Sequence, residues 1–376
     1  MTNASLLDTY SLAGPALHLP NRIVLAPMTR FRATEDGTPL PFVADFYAQR
    51  ATAGLLVSEG IWPSRRGQSE WRIPGLETAA HIDGWRRVTD AVHDAGGRIF
   101  AQLMHGGRQG HPLSRIAGDI PAGPSSVPVP GPVHIRDGGK ADPPLPRTMT
   151  SDDIRVAIED HAAAARGAIT AGFDGVELHG ANSYLIHQFL ADNTNLRDDR
   201  YGRNSTADRI RFAVECVTRV AEEIGAGRTA LRLSPGNPQF GMHEADPLPV
   251  YRALLAELDT LGLGYLHLTD AERPGVRTDE TPFPVLADLR PRWSGTLIAN
   301  GGENGEATTR SVGEKIVAEG LADLVSYGRA FLANPDLPAR FALDAPLNTI
   351  EEDTLYTQGP EGYTNYPALA EALVRD

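Results

Sequence analysis

Short apolar runs that alternate with helical patterns constrain the fold of this chain more than any other feature. Eight runs of four or five residues are rich in leucine, isoleucine, valine and alanine, and helical periodicity, such as that over 84–95, separates most of them. Several runs are apolar throughout, which is typical of parallel strands that are buried on both faces. This order of elements predicts a closed (β/α)8 TIM barrel. The runs cover 23–26, 54–58, 99–103, 175–178, 230–233, 265–268, 296–299 and 323–326.

An open, doubly wound sheet is the alternative fold for this alternation. Such a sheet favours a Gly-x-Gly-x-x-Gly turn directly after its first strand. Here the first strand continues into Ala26-Pro27-Met28-Thr29, which contains no glycine. The barrel is therefore the simpler prediction.

The chain is longer than a minimal barrel, so we expect additions to it. A barrel needs about 250 residues, whereas this chain has 376, all of which we assign to a single domain, 1–376. Residues 105–147 are rich in proline and follow the third strand on the expected active face, which predicts a lid or substrate wall. A solvent-exposed loop is the alternative. Residues 16–19 are expected to form a hairpin arm that plugs the bottom of the barrel.

The composition argues against several classes of function. The net charge of −13 disfavours nucleic acid and anionic membranes as partners. A single cysteine, Cys216, allows neither an intrachain disulfide nor a cysteine-ligated iron–sulfur cluster. No stretch reaches the roughly 18 apolar residues of a membrane span, and the N-terminus has no signal-peptide pattern. We therefore expect a cytoplasmic protein, a monomer or homodimer, that holds no metal.

The segment 179–184 is the strongest candidate for a reaction site. It joins a buried strand, 175–178, to a helical pattern, so three polar side chains leave one strand end together. The imidazole of His179 and the carboxamide of Asn182 are suited to donate hydrogen bonds to one developing oxyanion. The phenol of Tyr184 is suited to deliver a proton nearby. The alternative is a strand-end histidine, a turn asparagine and a core tyrosine without chemical roles.

The ends of the last two strands predict a phosphate site. Strand seven continues into Asn300-Gly301-Gly302, and strand eight continues into Gly328-Arg329 before a short helix. Barrels of this kind commonly bind phosphate between these loops and the start of a short helix. Glycines let backbone N–H groups approach the anion, and an arginine fork grips it. Alternatively, the glycines only serve turns.

Three further polar side chains lie at the expected mouth of the barrel. Arg232 and Gln102 each interrupt an apolar strand, and Thr29 follows the first strand. A buried arginine is costly without a partner, so we expect it to face electron-rich ligand atoms. The alternatives are a structural ion pair, a satisfied core amide and a plain turn threonine. Together with a phosphate site, these groups suit a phosphorylated heterocycle, and flavin mononucleotide (FMN) fits best.

Three other functions are compatible with the same barrel. A glycosidase could use Glu59 and Asp270, which both follow strands, as its acid–base pair. A zinc enzyme could use His105, His111 and His179, although only the first two are close in sequence. A non-catalytic flavin-binding protein would leave the candidate reaction site without a role. An absorbance spectrum separates the flavoproteins from the hydrolase and the zinc enzyme.

An ordered set of motifs runs along nearly the whole chain, at 21–30, 102–105, 123–125, 179–190, 195–202, 328–329 and 362–367. This set resembles the Old Yellow Enzyme family of flavin-dependent ene-reductases, and within it the bacterial N-ethylmaleimide, nitrate-ester and xenobiotic reductase branch. The resemblance implies an FMN enzyme that takes hydride from NADPH or NADH. It implies reduction of the C=C bond of activated alkenes such as enones, enals, maleimides and nitroalkenes, with nitrate esters and nitro compounds as further acceptors.

The resemblance also implies roles for individual residues. His179 and Asn182 are implied to bind the activating oxygen of the substrate, and Tyr184 is implied to donate the proton. The residues implied to line the flavin ring are Pro27, Met28, Thr29, Gly60, Gln102 and Arg232. Those implied to hold its phosphate are Gly301, Gly302, Gly328 and Arg329. The implied substrate walls are Trp71, Met104 and Tyr356.

Two wall positions depart from the family pattern. Met104 stands where many relatives carry tryptophan, and Glu70 stands where a tyrosine is expected. Trp71 is expected to take over the wall that this tyrosine would form. Neither position belongs to the set that is implied to hold FMN, so the departures concern the choice of substrate.

Overall fold

The strands and helices follow the predicted alternation closely. The computed structural model describes residues 4–12, 17–269, 283–301 and 307–369. Its strands are β1 Tyr10–Leu12, β2 Leu17–Leu19, β3 Ile23–Leu25, β4 Leu55–Ile61, β5 Ile99–Leu103, β6 Ala122–Gly123, β7 Val133–His134, β8 Lys140–Ala141, β9 Arg147–Thr148, β10 Gly175–Gly180, β11 Thr229–Leu233, β12 Tyr265–Thr269, β13 Leu297–Asn300 and β14 Leu324–Tyr327. Its helices are α1 Val43–Ala48, α2 Ala79–Asp94, α3 Ser151–Thr170, α4 Leu185–Leu190, α5 Thr206–Ile224, α6 Pro247–Leu258, α7 Pro284–Leu289, α8 Arg310–Ala318, α9 Arg329–Ala333 and α10 Leu337–Leu343.

Eight parallel strands close into one barrel, in the order β3, β4, β5, β10, β11, β12, β13 and β14. The last strand pairs with the first, with Val325 opposite Ile23, so the sheet has no free edge. Apolar side chains of the strands pack against those of the surrounding helices in one large core. The predicted TIM barrel is therefore confirmed, and the open sheet is excluded.

An N-terminal hairpin plugs the bottom of the barrel, as predicted. β1 and β2 pair antiparallel, with Tyr10 opposite Leu19. Leu12 and Leu19 are buried among residues near the N-terminal ends of the barrel strands, such as Leu55 and Phe100. The hairpin thus covers apolar side chains that would otherwise meet water at this end. Residue 16, the first of the predicted arm, lies outside the described residues.

A β-bulge extends β4 beyond its predicted end. The pairing of β4 with β5 shifts register between Val57 and Gly60. At this point the Ser58 hydroxyl accepts the backbone N–H of Gln102 at 2.9 Å, in place of a ladder bond. The bulge sets Gly60 opposite Gln102, so it positions two of the predicted flavin contacts.

Helix α2 begins earlier than the sequence pattern predicts. The apolar periodicity starts at Gly84, whereas the helix starts at Ala79. Thr78 and His81 form a reciprocal cap in which each side chain accepts the backbone N–H of the other residue, at 3.2 and 3.3 Å. In the part of the chain that the structure describes, no helix has the length and apolarity needed to cross a membrane.

The insertion 105–147 is ordered by its own contacts. It contains two small sheets, in which β6 pairs with β9 and β7 pairs with β8. The buried guanidinium of Arg108 donates to the carbonyls of Pro128 and Phe240, at 3.1 and 2.8 Å. Arg115 is also buried and donates to the carbonyl of Arg66 at 3.0 Å. These contacts fix the insertion above the barrel instead of leaving it as a plain loop.

Candidate active site

Neighbouring strands bring the predicted polar residues of the barrel mouth together. His179 on β10 lies opposite Arg232 on β11, and Gln102 on β5 lies opposite Glu177 on β10. Residues two apart on a strand share a face, so Glu177 and His179 project to the same side of the barrel wall. All four side chains are buried. Glu177 is not among the residues predicted from the sequence, although a carboxylate inside an apolar strand is a signal for it.

Glu177 organises a buried hydrogen-bond network. Its carboxylate accepts from Gln102 Nε2 at 2.7 Å and from His267 Nδ1 at 2.8 Å. His267 Nε2 meets the Ser326 hydroxyl at 2.9 Å. Burial alone would raise the pKa of Glu177, but His267 and Arg232 bring it below its usual value. Burial lowers the pKa of His267. Glu177 is therefore a carboxylate and His267 a neutral imidazole. Because the amide nitrogen of Gln102 donates to Glu177, the amide oxygen of Gln102 is left to accept a hydrogen bond from a ligand.

Arg232 presents an unsatisfied donor at the barrel mouth. Its Nη2 donates to Asn300 Oδ1 at 2.7 Å and approaches Thr269 Oγ1 at 3.4 Å. Its Nε is buried and has no hydrogen-bond partner among the described residues. An orphaned guanidinium donor in a buried site costs free energy unless a ligand satisfies it. Arg232 and the amide oxygen of Gln102 therefore fit the polar edge of a flavin ring.

His179 is a neutral hydrogen-bonding group. Burial, together with the positive charge of Arg232, lowers its pKa to about 3. Its Nδ1 is buried and meets no partner in the ranges that the structure describes. The ring lies 5.0 Å from that of Tyr184, centroid to centroid. The two predicted catalytic rings are therefore neighbours, and His179 has a nitrogen available to a substrate.

Asn182 lies in a strained turn that other residues hold in place. Asn182 and Ser183 have φ angles of 51° and 68°, in the left-handed region that side chains other than glycine rarely adopt. The Asn182 N–H donates to Ser234 Oγ at 2.8 Å, and the Ser183 N–H donates to His187 Nδ1 at 3.0 Å. Asn237 Nδ2 donates to Asn182 Oδ1 at 3.1 Å. The amide N–H groups of Asn182 are thereby directed away from Asn237.

Sequence reasoning missed the residues that support this turn. The side chain of Gln188 donates to the Ser183 carbonyl at 2.7 Å. His187 Nε2 meets Glu244 at 3.1 Å, and both side chains are almost fully buried. The same Glu244 oxygen accepts the Gly236 N–H, which ties α4 to the loop after β11. Two polar residues within the buried helix α4 were the available signal.

A cavity of about 610 Å³ opens beside Tyr184. On the predicted cofactor side it is lined by Met28, Thr29 and Arg329. On the predicted substrate side it is lined by Glu70, Trp71 and Tyr356. The insertion contributes Ser114, His134, Ile135 and Gly138, which supports its assignment as a substrate wall. Burial and the nearby Glu70 raise the pKa of Tyr184 above its usual value, so the phenol keeps its proton at neutral pH.

The predicted phosphate site is only partly described. Gly301 has a φ of 119°, which requires glycine, and its N–H donates to Thr308 Oγ1 at 3.0 Å. Gly302 lies outside the described residues. Gly328 directly precedes α9, whereas the exposed guanidinium of Arg329 pairs with Glu352 at 3.1 Å. The phosphate-binding roles of these residues therefore stay predictions.

Met104 lies deeper than a substrate wall requires. It is 2% exposed and packs with Trp62 and Ile73, and Tyr184 lies against this cluster. A methyl group added at Gly60 would lie 2.5 Å from Met104 Sδ, so the two residues are in close contact. Met104 thus packs behind Tyr184, and its direct contact with substrate stays a prediction.

Pro27, which the family resemblance implies to line the flavin ring, follows β3 and is partly buried.

The described residues of the rival functions form no second site. Glu59 is 1% exposed and accepts the Arg30 N–H at 3.3 Å, and the cavity beside Tyr184 does not include it. Asp270, its partner in a glycosidase, lies outside the described residues. His105 stacks on His161, with ring centroids 6.0 Å apart. Within the described ranges, no group of three or more metal-ligating side chains could hold an ion.

The chain is similar to known flavin oxidoreductases along nearly its whole length. The profile of the NADH:flavin oxidoreductase / NADH oxidase family matches residues 14–348. 12-Oxophytodienoate reductase 7 of Oryza sativa subsp. japonica is 39% identical over 389 residues, which cover 99% of this chain and 96% of that protein. 12-Oxophytodienoate reductase 2 of Arabidopsis thaliana is 37% identical over 375 residues, covering 98% of each.

Solved structures share the whole fold. The Old Yellow Enzyme homologue from Zymomonas mobilis superposes with a TM-score of 0.90 at 38% identity, over 97% of this chain and all of that one (100%). Morphinone reductase superposes with a TM-score of 0.91 at 38% identity, over 99% of this chain and 98% of that one. A morphinone reductase structure in complex with tetrahydroNAD has a TM-score of 0.89 at 39% identity and 98% coverage of both chains. The branch within the family stays a prediction. The chain belongs to the NADH:flavin oxidoreductase / NADH oxidase family, as an Old Yellow Enzyme-type oxidoreductase that uses FMN and a nicotinamide reductant.

Proposed function

We propose that this flavoenzyme reduces the C=C bond of activated alkenes, with enones, enals, maleimides and nitroalkenes as acceptors. Nitro compounds and nitrate esters are proposed as further acceptors. One observation carries the proposal: His179, Asn182 and Tyr184 leave one strand end together, and Tyr184 lines a cavity that connects the cofactor side with the substrate side. The relatives named as reductases of 12-oxophytodienoate and morphinone support it.

The residues of the barrel mouth would hold the cofactor. Gln102 and Arg232 would meet the polar edge of the ring with one acceptor and one donor, and Met28 and Thr29 would border it beside the cavity. Gly328 and Arg329 would lie toward the phosphate. Bound FMN, once reduced by NADPH or NADH, supplies the hydride that the β-carbon of the acceptor receives.

The side chains beside the cofactor would stabilise the negative charge that hydride transfer leaves on the acceptor. One of them would then neutralise this charge by donating a proton. Electrons of the C=C bond move toward the activating oxygen as the β-carbon gains hydrogen. The His179 imidazole and the Asn182 amide each donate a hydrogen bond to that oxygen, and losing one such donor typically costs about 10²–10³ in rate. Tyr184 transfers its phenolic proton to the α-carbon and regains a proton from solvent. Because His179 is neutral, it binds the oxygen without titrating near pH 7.

An anaerobic absorbance titration tests this function. We expect the purified protein to show flavin bands, to lose them on addition of NADPH and to regain them on addition of an enone. One equivalent of saturated ketone should form for each flavin reoxidised. If oxygen or a quinone restored the bands while several enones and nitroalkenes did not, alkene reduction would be excluded as the activity.

We also propose a single domain over 1–376, a monomeric or homodimeric state and a cytoplasmic location. The single closed barrel with its plug and insertion supports the domain assignment. Size-exclusion chromatography with light scattering would measure the oligomeric state directly.

A further inference from the structure

The cavity beside Tyr184 contains a carboxyl group that the proposed mechanism does not use. Glu70 lies on its wall next to Trp71, and Tyr184 and Tyr356 share that wall. Burial is the only cause that raises the pKa of Glu70, to about 7. The hydrogen bond that Glu70 accepts from Gln68 goes to its backbone carbonyl, and no described residue donates a hydrogen bond to, or forms an ion pair with, its carboxylate. A partly buried carboxyl without a partner is costly to ionise.

The other charged groups of the cavity are directed elsewhere. The titratable groups that share its wall with Glu70 are Arg30, His134, Tyr184, Arg329 and Tyr356. The guanidinium of Arg30 donates to the carbonyls of Leu355 and Gly362, at 3.1 and 3.0 Å. Arg329 pairs with Glu352 at 3.1 Å. His134 lies in the insertion and is exposed, as is Tyr356, and burial raises the pKa of Tyr184, so that this phenol stays neutral at pH 7.

We propose that Glu70 selects the acceptor by charge. The site favours activated alkenes that carry a basic, positively charged substituent outside the reacting double bond, and it disfavours those that carry a carboxylate. A cationic substituent supplies the partner that Glu70 lacks, in a cavity where water screens the pair less than at an open surface. A carboxylate meets like charge instead. This inference rests on the proposed function and specifies its substrate class.

The preference should depend on pH in a defined direction. Because burial raises the pKa of Glu70 to about 7, a larger fraction of this carboxyl group is ionised at pH 8 than at pH 6. A cationic acceptor binds the ionised form better, so its affinity rises as the pH increases through 7. The affinity of a carboxylate acceptor falls over the same interval, and that of a neutral acceptor stays constant.

Three cyclohexenones that differ only in one substituent test the proposal. The probes are the unsubstituted ring, a trimethylammoniomethyl derivative and a carboxymethyl derivative. Dissociation constants come from perturbation of the absorbance of the oxidised flavin, and kcat/KM comes from turnover, both at pH 6 and pH 8. The variants are Glu70→Gln, which removes the charge at constant shape, Glu70→Asp, which retains it, and Glu257→Gln on the exposed face of α6 as the control for net charge.

At pH 8 we expect Glu70→Gln to weaken binding of the cationic probe about three- to tenfold and to strengthen binding of the carboxylate probe similarly. The neutral probe should change less than about twofold, and Glu70→Asp and Glu257→Gln should behave like the wild type. Equal probe ratios in wild type and Glu70→Gln at pH 8 overturn the proposal. If Glu70→Gln does not fold, Glu70→Ala takes its place in the same comparison. Failure of the wild type to reduce the neutral enone would instead refute the proposed function, while the dissociation constants still test Glu70.

Discussion

The two halves of the site are built in different ways. The half that we assign to the cofactor contains side chains on barrel strands, where Gln102, Glu177 and His267 bond to one another in a buried network. The half that we assign to the acceptor is made of Glu70, Trp71, Tyr356 and parts of the insertion, which lie outside the barrel strands. In the first half, hydrogen bonds join the side chains to one another, whereas in the second half the walls come from separate segments of the chain.

Hydrogen bonds to backbone carbonyl groups hold part of the acceptor half in place. Arg30 and Arg32 donate to carbonyl groups of the C-terminal segment that carries Tyr356, for example to Leu355 and Gly359 at 3.1 and 2.9 Å. Their guanidinium groups lie over the ring of Tyr363, at 5.1 and 4.4 Å from its centroid. These anchors bind backbone carbonyl groups and do not use the side chains of Glu70, Trp71 or Tyr356. A substitution there can alter the choice of acceptor while the chemistry on the strands continues.

The largest effect is expected for the donors at the end of β10. His179→Ala and Asn182→Ala should each slow reoxidation of the reduced enzyme by an enone about 10²–10³-fold, because each removes a hydrogen bond to the developing oxyanion. Stopped-flow absorbance measures this rate. His134→Ala, which removes a histidine from the part of the cavity wall that the insertion supplies, is the matched control and should change the rate little. Comparable losses in His134→Ala and His179→Ala would erase the distinction between the halves.

A smaller effect is expected behind Tyr184. Met104→Trp enlarges a side chain that is buried against Gly60, so overpacking should lower the free energy of unfolding by about 1–3 kcal/mol. Reduction of a β-substituted and an unsubstituted cyclohexenone should then decline together, alongside the melting temperature. A loss confined to the β-substituted ring, at unchanged melting temperature, would instead place Met104 in the acceptor wall.

The smallest effect is expected at the exposed end of the cofactor site. Arg329→Ala should raise the dissociation constant of FMN about two- to fivefold, a modest effect because water screens the charge of an exposed guanidinium. Fluorescence titration of the apoprotein with FMN measures it. Glu352→Gln frees the same guanidinium from its ion pair and should tighten binding slightly. Unchanged FMN affinity in Arg329→Ala would remove Arg329 from the phosphate site.

The sequence predicts the cofactor half better than the features that hold it in place. Arg232 and Gln102 are visible as polar residues in apolar strands, and parallel strands of a barrel carry such residues to a common end. The hydrogen bond from Asn237 to Asn182 and the His187–Glu244 pair join residues that are far apart in sequence. No local pattern reveals such contacts. The bulge at Ser58 was missed because it depends on the partner strand, and the start of α2 was missed because a cap, not an apolar stripe, sets it.

The central claim is that Tyr184 supplies the proton that completes alkene reduction. The most direct measurement compares the rates at which an enone and a quinone reoxidise the Tyr184→Phe enzyme after its reduction by NADPH. Tyr356→Phe, which alters a tyrosine on the acceptor wall of the same cavity, is the control. We expect Tyr184→Phe to retain FMN, to be reduced by NADPH as in the wild type and to react with the enone about 10²-fold or more slowly. Its reaction with the quinone should slow far less, because no carbon is protonated. An equal loss with both acceptors, or an unchanged rate with the enone, would contradict this role.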